Sequence, residues 1–441
     1  MIDALMQRLA RNLDGTTRSW MTIFGGDVLR MALGFIASVL IARALDPAAY
    51  GHYVGLGDVS GIAGATADFG LSASAVRRIA AVRVDDAALA RRRARVFFWL
   101  RVAASVLTIL PLVLFAGLFV SLLGLPAQVD GVSATALLLF TLLGVPAGAL
   151  SGAISTILQA TGQFRHVALV LVANTALTVV LALGLWLAGQ LTLVTTLLVL
   201  GVSASLVTFL LARRFLPAAW RLGPLGWQAL RAEALPLLRF GRWLWLASML
   251  GVLALQLDIL LLTRLSVAAT VGSYGLALNL ANKVDVVNRS LYTVLLPTAS
   301  ALKGRGDYAR YIRRGLLRSA LICLLLLPLV PLAQPFILFF YGQAYAPAVP
   351  LFRLLLVAVA LDVFSMPLLL LAFPLNRPRW LAAVDGLRLI ALLAAAFLLI
   401  PSYGATGAGL ARIVARAAGV MLLALLLGRR ARSAPETIKD A

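Results

Sequence analysis

The chain has little of the residue types on which metal, redox and many catalytic sites depend. Its 441 residues include one cysteine, Cys323, and two histidines, His52 and His166. Cys323 lies inside an apolar run, and neither histidine has Cys, His or Glu at ligand spacing. We therefore expect no disulfide framework, no metal centre and a packing role for Cys323.

Acidic residues are also scarce, with 17 Asp and Glu against 39 Lys and Arg, for a formal net charge of +22. In a soluble protein this excess would suggest nucleic-acid binding. Here the basic residues cluster in segments between apolar runs, so membrane topology is the simpler cause and no nucleic-acid partner is expected. The sequence also lacks a Gly-Lys-Ser/Thr phosphate-binding loop and a constellation of catalytic carboxylates. We expect a protein that is not an enzyme, with no catalytic residues and no cofactor.

Long apolar runs, in contrast, are abundant. The composition is 62% hydrophobic and the mean hydropathy is +0.97, more than a water-soluble core can bury. A spanning helix needs about 20 mostly apolar residues. The sequence predicts an all-α polytopic membrane protein with twelve transmembrane helices, at residues 20–42, 50–75, 96–123, 132–158, 166–189, 191–212, 240–263, 270–297, 315–340, 350–375, 380–400 and 404–428.

The charges between these spans predict the orientation. Arginine and lysine follow the even-numbered spans, as in the stretch from Arg91 to Arg95, whereas the opposite side offers essentially Arg43 and Arg264. Basic loops stay in the cytoplasm. We therefore expect a multi-pass protein of a bacterial inner membrane with both termini cytoplasmic.

The spans group into two lobes. The expected divisions are an interfacial helix at 1–19, an N-lobe of six spans at 20–212, a basic cytoplasmic linker at 213–239, a C-lobe of six spans at 240–428 and a cytoplasmic tail at 429–441. Apolar residues at helical spacing support the interfacial helix. A frayed terminus is the alternative for that first segment.

An internal repeat relates the lobes. Three pairs of residues share an offset of 221, namely Arg43 and Arg264, Gly51 and Gly272, and Tyr53 and Tyr274. Each half has six spans, so the repeat is parallel, with an axis along the membrane normal and a cavity expected between the lobes. The alternative is local: Asp46 and Pro47 make a well-formed helix start.

Many ionisable groups fall inside the spans, where each costs roughly 2.5 to 3.5 kcal/mol unless it faces a partner or water. The basic candidates for substrate binding are Arg30, Lys283, Arg289, Arg388, Arg412 and Arg416. The polar candidates for a cavity wall or for ion coupling are Asp58, Asp68, Asp258, Asn279, Asn282 and Asp362. Buried guanidinium groups suit phosphate, so we infer an anionic substrate.

The eighth span carries the densest polar stripe. Asn279, Asn282, Lys283, Asp285 and Arg289 fall within about 160° of its surface, an arc expected to line water. The alternative for all these groups is internal neutralisation. It would pair Arg30 with Asp27 or Asp58, Asp385 with Arg388, and Asp285 with Arg289.

Several short motifs, in order along the chain, carry a family resemblance. They are the segments 42–53, 68–71 with Arg77, 158–165, 339–345 and 403–409. Together they resemble the oligosaccharide-flippase (Wzx-like, polysaccharide transporter) family of the multidrug/oligosaccharidyl-lipid/polysaccharide (MOP) superfamily. The chain departs from the pattern at 189–192, which lacks the glycine and alanine pattern seen before the twelfth span.

The resemblance implies two six-helix lobes in a V, a central cationic cavity and alternating access. Its implied substrate is an undecaprenyl-pyrophosphate-linked oligosaccharide for a surface polysaccharide, such as lipopolysaccharide O-antigen or exopolysaccharide. Membrane lipids, a polysaccharide polymerase and chain-length proteins are the implied partners. Coupling to H⁺ or Na⁺ through Asp58, Asp258 or Asp362 stays open.

The main alternative is a cation-coupled multidrug exporter of the same superfamily. It predicts a cavity dominated by acidic and aromatic groups, and the arginine excess favours the flippase instead. A membrane glycosyltransferase or polymerase would need catalytic carboxylates and a large aqueous loop, which the sequence lacks.

Overall fold

The computed structural model describes residues 15–216, 220, 226–300, 302, 305–375, 377 and 379–433. Residues 1–14 of the expected interfacial helix and the tail from 434 lie outside the described residues. The side chain of Arg289 also lies outside them, so its predicted role stays a prediction.

The first half of the chain is helical apart from one short hairpin. Its helices are α1 Gly15–Ala44, α2 Pro47–Asp68, α3 Leu71–Ala80, α4 Ala87–Leu114, α5 Ala116–Leu123, α6 Ala134–Ala160, α7 Phe164–Leu187, α8 Leu193–Thr195 and α9 Ala204–Ala212. The π-helix Thr196–Ser203 joins α8 to α9, and the 3₁₀-helix Arg213–Phe215 follows α9. Strands β1 Gln128–Val129 and β2 Val132–Ser133 pair antiparallel around Asp130 and Gly131, both at positive φ.

The second half contains seven further helices. They are α10 Trp227–Leu265, α11 Ala268–Val284, α12 Val286–Ser300, α13 Arg305–Leu326, α14 Leu329–Tyr341, α15 Ala348–Leu369 and α16 Arg379–Ser433. The 3₁₀-helices Gln343–Tyr345 and Leu370–Ala372 lie on either side of α15.

This architecture confirms the predicted all-α polytopic fold. Nine helical stretches among the described residues are long and apolar enough to cross a membrane. Predicted spans two and eight are missing from the nine because they are polar and interrupted, and α16 counts once although it contains spans eleven and twelve. About twelve membrane-crossing segments are therefore consistent with the structure.

Helix α16 folds back on itself. Gly404 has φ 54° and ψ −129°, a left-handed backbone that favours glycine. A Cβ at Gly407 would overlap the carbonyl of Leu399, and one at Gly419 would overlap the side chain of Arg388. These contacts show that the two arms of α16 run antiparallel. The arms correspond to the predicted spans 380–400 and 404–428.

Four predicted spans are not the continuous helices that hydropathy suggested. Span three is divided at Phe115, and span nine is divided between Leu326 and Leu329. Span two breaks at Phe69 and Gly70, which have φ 45° and 66°. Span eight breaks at Asp285, where α11 ends before α12. Interrupted helices are typical of transporter binding regions.

The predicted linker at 213–239 is partly helical, because α10 begins at Trp227. The first turns of α10 pack on α3 and α4. Glu233 on α10 forms ion pairs of 3.1 Å with both Arg78 and Arg93. The second part of the predicted linker is therefore a packed helix. Its Glu233 carboxylate neutralises Arg78 and Arg93.

The chain divides into two compact units. The first contains residues up to Leu45 together with Leu56–Val252, and the second contains Asp46–Gly55 and the chain from Leu253 onward. In the first unit, Leu71, Phe97 and Ile154 are fully buried in one core. In the second, a core cluster forms around Leu295, Tyr311 and Leu370.

Within the second unit, the start of α2 crosses α11 at repeat-related positions. A Cβ on Gly51 would overlap the Ala268 carbonyl, and a Cβ on Gly272 would overlap the Pro47 carbonyl. The residues in contact are related by the offset of 221, as are Val54 and Gly275, which also touch. The contact is therefore reciprocal between positions that share the offset of the repeat.

Candidate functional site

A fully buried ion pair joins α10 to α16. The Arg412 guanidinium donates from Nε to Asp258 Oδ2 at 2.5 Å and from a terminal nitrogen to Oδ1 at 3.0 Å. The same guanidinium donates to the Leu255 carbonyl at 2.5 Å, and the Tyr274 hydroxyl donates to Asp258. Asp258 is 0% exposed and the Arg412 side chain is 6% exposed. In this conformation Arg412 is a scaffold residue, and a substrate contact would require this pair to open.

A second cluster places two arginines on one carboxylate. Arg416 Nε lies 2.6 Å from Asp362 Oδ2, and a terminal nitrogen of Arg388 lies 3.3 Å from Oδ1. Arg388 also lies 3.9 Å from Asp385, whose side chain is largely exposed. Helix α15 supplies Asp362 and the two arms of α16 supply the arginines. The antiparallel arms of α16 therefore bring together two cations that are distant in sequence.

A small cavity lies beside this cluster. Its volume is about 40 Å³, and Asn282, Asp285, Asp362, Arg412 and Arg416 are among its lining residues. A water needs about 10 to 15 Å³ on such a measure. The cavity has room for a few waters, which is too little for a diphosphate in this conformation.

The predicted stripe on span eight is polar but internally bonded. Lys283 donates to Asn279 on the preceding turn, and Asn288 donates to Asp285 at 2.6 Å. Lys283 and Asn279 are half-buried, while Asn282 is exposed. Asn282 and Asp285 reach the small cavity.

The other predicted residues belong to the first unit. Arg30 pairs with Asp27 at 3.4 Å, and both side chains are largely exposed. Asp68 accepts from Ser72 at 2.5 Å and pairs with Arg101 at 2.7 Å. Asp58 is half-buried on α2.

Arg101 was not among the predicted candidates, although it lies within predicted span three. Its side chain is 14% exposed and its partner Asp68 lies on a different helix. The signal was available, because an arginine a few residues inside an apolar run demands a partner.

The predicted candidates do not form one group in the described structure. Around the small cavity it brings together Asn282, Asp362, Arg412 and Arg416, with Arg388 and Asp258 as their direct partners. Of the pairs that the neutralisation alternative predicted, Arg30 pairs with Asp27 and not Asp58, and Arg388 lies 3.9 Å from Asp385. That alternative missed Asp362, which serves both Arg388 and Arg416.

Comparison with solved structures defines the class of fold. The chain is similar to "Lipid II flippase MurJ, inward closed conformation", with TM-score 0.72 and 11% identity over 92% of this chain and 87% of that one. It is also similar to an inward-facing multidrug resistance MATE family transporter of the MOP superfamily, with TM-score 0.67 and 15% identity over 93% and 96%. A MOP superfamily transporter from Pyrococcus furiosus matches with TM-score 0.56 and 17% identity over 93% and 95%. The fold is that of MOP-superfamily transporters.

The sequence then defines the family. Residues 40–350 match the family described as "Polysaccharide biosynthesis protein". The matched region covers most of the chain, so the protein belongs to this family, as the sequence motifs predicted. No curated protein sequence matches the chain.

Proposed function

We propose that the protein is a flippase that moves an undecaprenyl-pyrophosphate-linked oligosaccharide across the bacterial inner membrane by alternating access, for surface polysaccharide biosynthesis. Membership of the polysaccharide biosynthesis family and a fold similar to that of a lipid II flippase support the proposal. The observation that carries it is the pair of guanidinium groups, Arg388 and Arg416, on the single carboxylate of Asp362.

This arrangement suits a phosphate ligand. A carboxylate between two guanidinium groups has the charge and the oxygen geometry of one edge of a phosphate. Both arginines share Asp362, and the second carboxylate, Asp385, is exposed and 3.9 Å from Arg388. A diphosphate, with more charge than either carboxylate, can therefore compete for the two arginines. The Arg412 and Asp258 pair, in contrast, is bidentate and closed. We therefore assign pyrophosphate binding first to Arg388 and Arg416.

The remaining predicted residues have subsidiary roles in the proposal. Arg30, Lys283 and Arg289 would add positive charge along the path of the lipid-linked sugar, and Asn279 and Asn282 would contact water or sugar. Asp58, Asp68, Asp258 and Asp362 are the candidates for H⁺ or Na⁺ coupling, and Asp258 would first have to release Arg412 and Tyr274.

The membrane potential favours this direction of transport. A diphosphate diester carries about two negative charges, and an inside-negative potential favours outward movement by roughly 2.3 kcal/mol per charge per 100 mV. Dissipating the potential in inverted vesicles should slow the flipping of a lipid-linked oligosaccharide if this drive is used.

The site can be tested in a deletion strain by complementation. We expect Arg388→Gln with Arg416→Gln to lower surface polysaccharide at least about tenfold and to leave the lipid-linked sugar on the cytoplasmic leaflet, because two charge-assisted contacts are lost. Leaflet sidedness and surface polysaccharide are the measurements. The control is Arg310→Gln with Arg313→Gln, which removes equal charge from exposed positions on α13. Export at the wild-type level in the Arg388 and Arg416 double variant would contradict the assignment.

A second candidate is a cation-coupled multidrug exporter, which the similarity to MATE family transporters favours. Its carboxylates would be Asp258 and Asp362, both within the spans. A deletion strain that gains drug sensitivity without any glycan defect would select this function. A glycan defect without drug sensitivity would select the flippase.

A further inference from the structure

A large cavity lies within the first unit, and none of the arginines in the clusters described above is among its described lining residues. Its volume is about 920 Å³. Helices α4, α6 and α9 and the 3₁₀-helix Arg213–Phe215 form its walls. A cavity of this size is at the upper end of the range for sites that hold drug-sized ligands.

Apart from two arginines, the described side chains that line the cavity are aromatic and aliphatic. Phe98 stacks on Phe209 with ring centroids 6.2 Å apart, and Trp99 meets Phe98 edge-on at 5.5 Å. Phe98 is 4% exposed, so it forms the floor, while Trp99 is 44% exposed at the rim. Leu150 on α6 completes the apolar surface. No Ser, Thr, Asn or Gln is among the described residues that line the cavity.

Among the residues that the structure describes, Arg213 and Arg214 are the charged residues of the cavity lining. Arg213 and Arg214 are exposed and follow directly after α9, at the end of the candidate span Leu193–Phe215. The charge pattern of the loops predicts that this end is cytoplasmic. Within the part of the chain that the structure describes, neither arginine forms an ion pair with a carboxylate. Arg388, Arg412 and Arg416, in contrast, each form an ion pair with an aspartate.

We propose that this cavity binds one anionic phospholipid from the cytoplasmic leaflet. Its phosphate contacts Arg213 and Arg214, and one acyl chain lies against Phe98, Phe209 and Leu150. Guanidinium groups bind phosphate oxygens through paired donors, and two positive charges favour an anionic over a zwitterionic headgroup. Trp99 at the rim is the residue type that favours the headgroup level.

The composition of the cavity separates this lipid from the transported substrate. A lipid-linked oligosaccharide needs several hydrogen-bonding groups for its sugars, and among the described lining residues only Arg213, Arg214 and the indole N–H of Trp99 supply them. A phospholipid fits this lining better, because its phosphate can contact the two arginines and its acyl chain can contact the apolar side chains. The inference is therefore independent of the proposed flippase function.

The test uses the full-length purified protein and measures lipid binding by native mass spectrometry. The probes are phosphatidylglycerol and phosphatidylcholine with matched acyl chains. We expect wild-type protein to bind phosphatidylglycerol at least about tenfold more tightly than phosphatidylcholine. Arg213→Gln with Arg214→Gln should reduce that preference about tenfold, because both phosphate ligands are lost.

Two further variants separate charge from shape. Arg91→Gln with Arg95→Gln removes the same charge from α4 without touching the cavity lining, and it should keep the wild-type preference. Leu150→Phe keeps the charge and narrows the apolar end, and it should weaken binding of both lipids. Size-exclusion chromatography checks that each variant is folded.

Specific results would overturn the proposal. These are equal binding of the two lipids by wild-type protein, or an unchanged preference in the Arg213 and Arg214 double variant. Displacement of phosphatidylglycerol by equimolar undecaprenyl phosphate would also overturn it, because the cavity would then belong to the substrate path.

Discussion

At the scale of single residues, the arginines of the second unit differ in what their charges can do. Arg412 is held by Asp258 through two hydrogen bonds and by the Leu255 carbonyl, in a site closed to solvent. Arg416 keeps 21% of its side chain exposed and shares Asp362 with Arg388. Breaking a saturated buried pair leaves an uncompensated charge, whereas a shared and partly exposed group can exchange partners.

Removal of Arg412 should therefore be far more damaging to stability than removal of an exposed arginine. Arg412→Ala leaves Asp258 buried without its cation, and we expect a loss of about 3 to 5 kcal/mol in the free energy of unfolding. The control Arg310→Ala breaks an exposed pair with Asp307 and should cost less than about 1 kcal/mol. Thermal unfolding in detergent provides the measurement.

A double variant makes this prediction sharper. Asp258→Asn combined with Arg412→Gln removes both charges and should recover a large part of the lost stability. If Arg412→Ala and Arg310→Ala unfold at the same temperature, the pair is not the scaffold described above.

At the scale of helices, the crossing of α2 and α11 depends on glycine. The backbones approach so closely at Gly51 and Gly272 that no Cβ fits on either side. Small residues allow such approaches between membrane helices. The reciprocal contacts follow from the repeat, since both copies carry the glycine at the same position.

Substitution at this crossing should force the helices apart. We expect Gly51→Ala and Gly272→Ala each to cost about 1 to 3 kcal/mol, because the added methyl group overlaps a carbonyl of the other helix. The control Gly57→Ala lies on the same helix, where a Cβ meets nothing within 4 Å, and should change stability by less than about 0.5 kcal/mol. Fluorescence-detected thermal stability measures all three.

The matched control decides the interpretation. Equal losses for Gly51→Ala and Gly57→Ala would mean that helix propensity, and not the close contact, causes the effect. A loss at Gly51 with none at Gly272 would contradict the reciprocal geometry.

At the scale of the whole molecule, the charge pattern predicts the membrane orientation. Basic residues follow the even-numbered spans, so the C-terminus should be cytoplasmic and the β1 to β2 hairpin should face outward. The hairpin tip at Asp130 and Gly131 is a suitable position for a reporter.

Reporter fusions test this orientation. Green fluorescent protein at the C-terminus should fluoresce and alkaline phosphatase there should be inactive, because phosphatase folds only outside the cytoplasm. Phosphatase inserted at Asp130 should be active, with expression compared by immunoblot. Active phosphatase at the C-terminus would reverse the topology and place Arg213 and Arg214 on the outer side.

The sequence by itself determined the all-α membrane fold, the boundaries of most spans and the family. These features depend on local properties, since a run of about 20 apolar residues makes a membrane helix wherever it occurs. The repeat was also visible, because an offset of 221 between Gly51 and Gly272 needs no coordinates.

Only the tertiary structure decided which charges meet. The spacing of Arg388 and Asp385 suggested a pair, yet Asp362 on another helix is the closer partner and also binds Arg416. Likewise Glu233 neutralises Arg78 and Arg93, and Asp68 binds Arg101. Sequence spacing identifies neighbours on one helix. The pairing of buried charges depends instead on how separate helices pack, because each buried charge requires an opposite charge within a few ångströms.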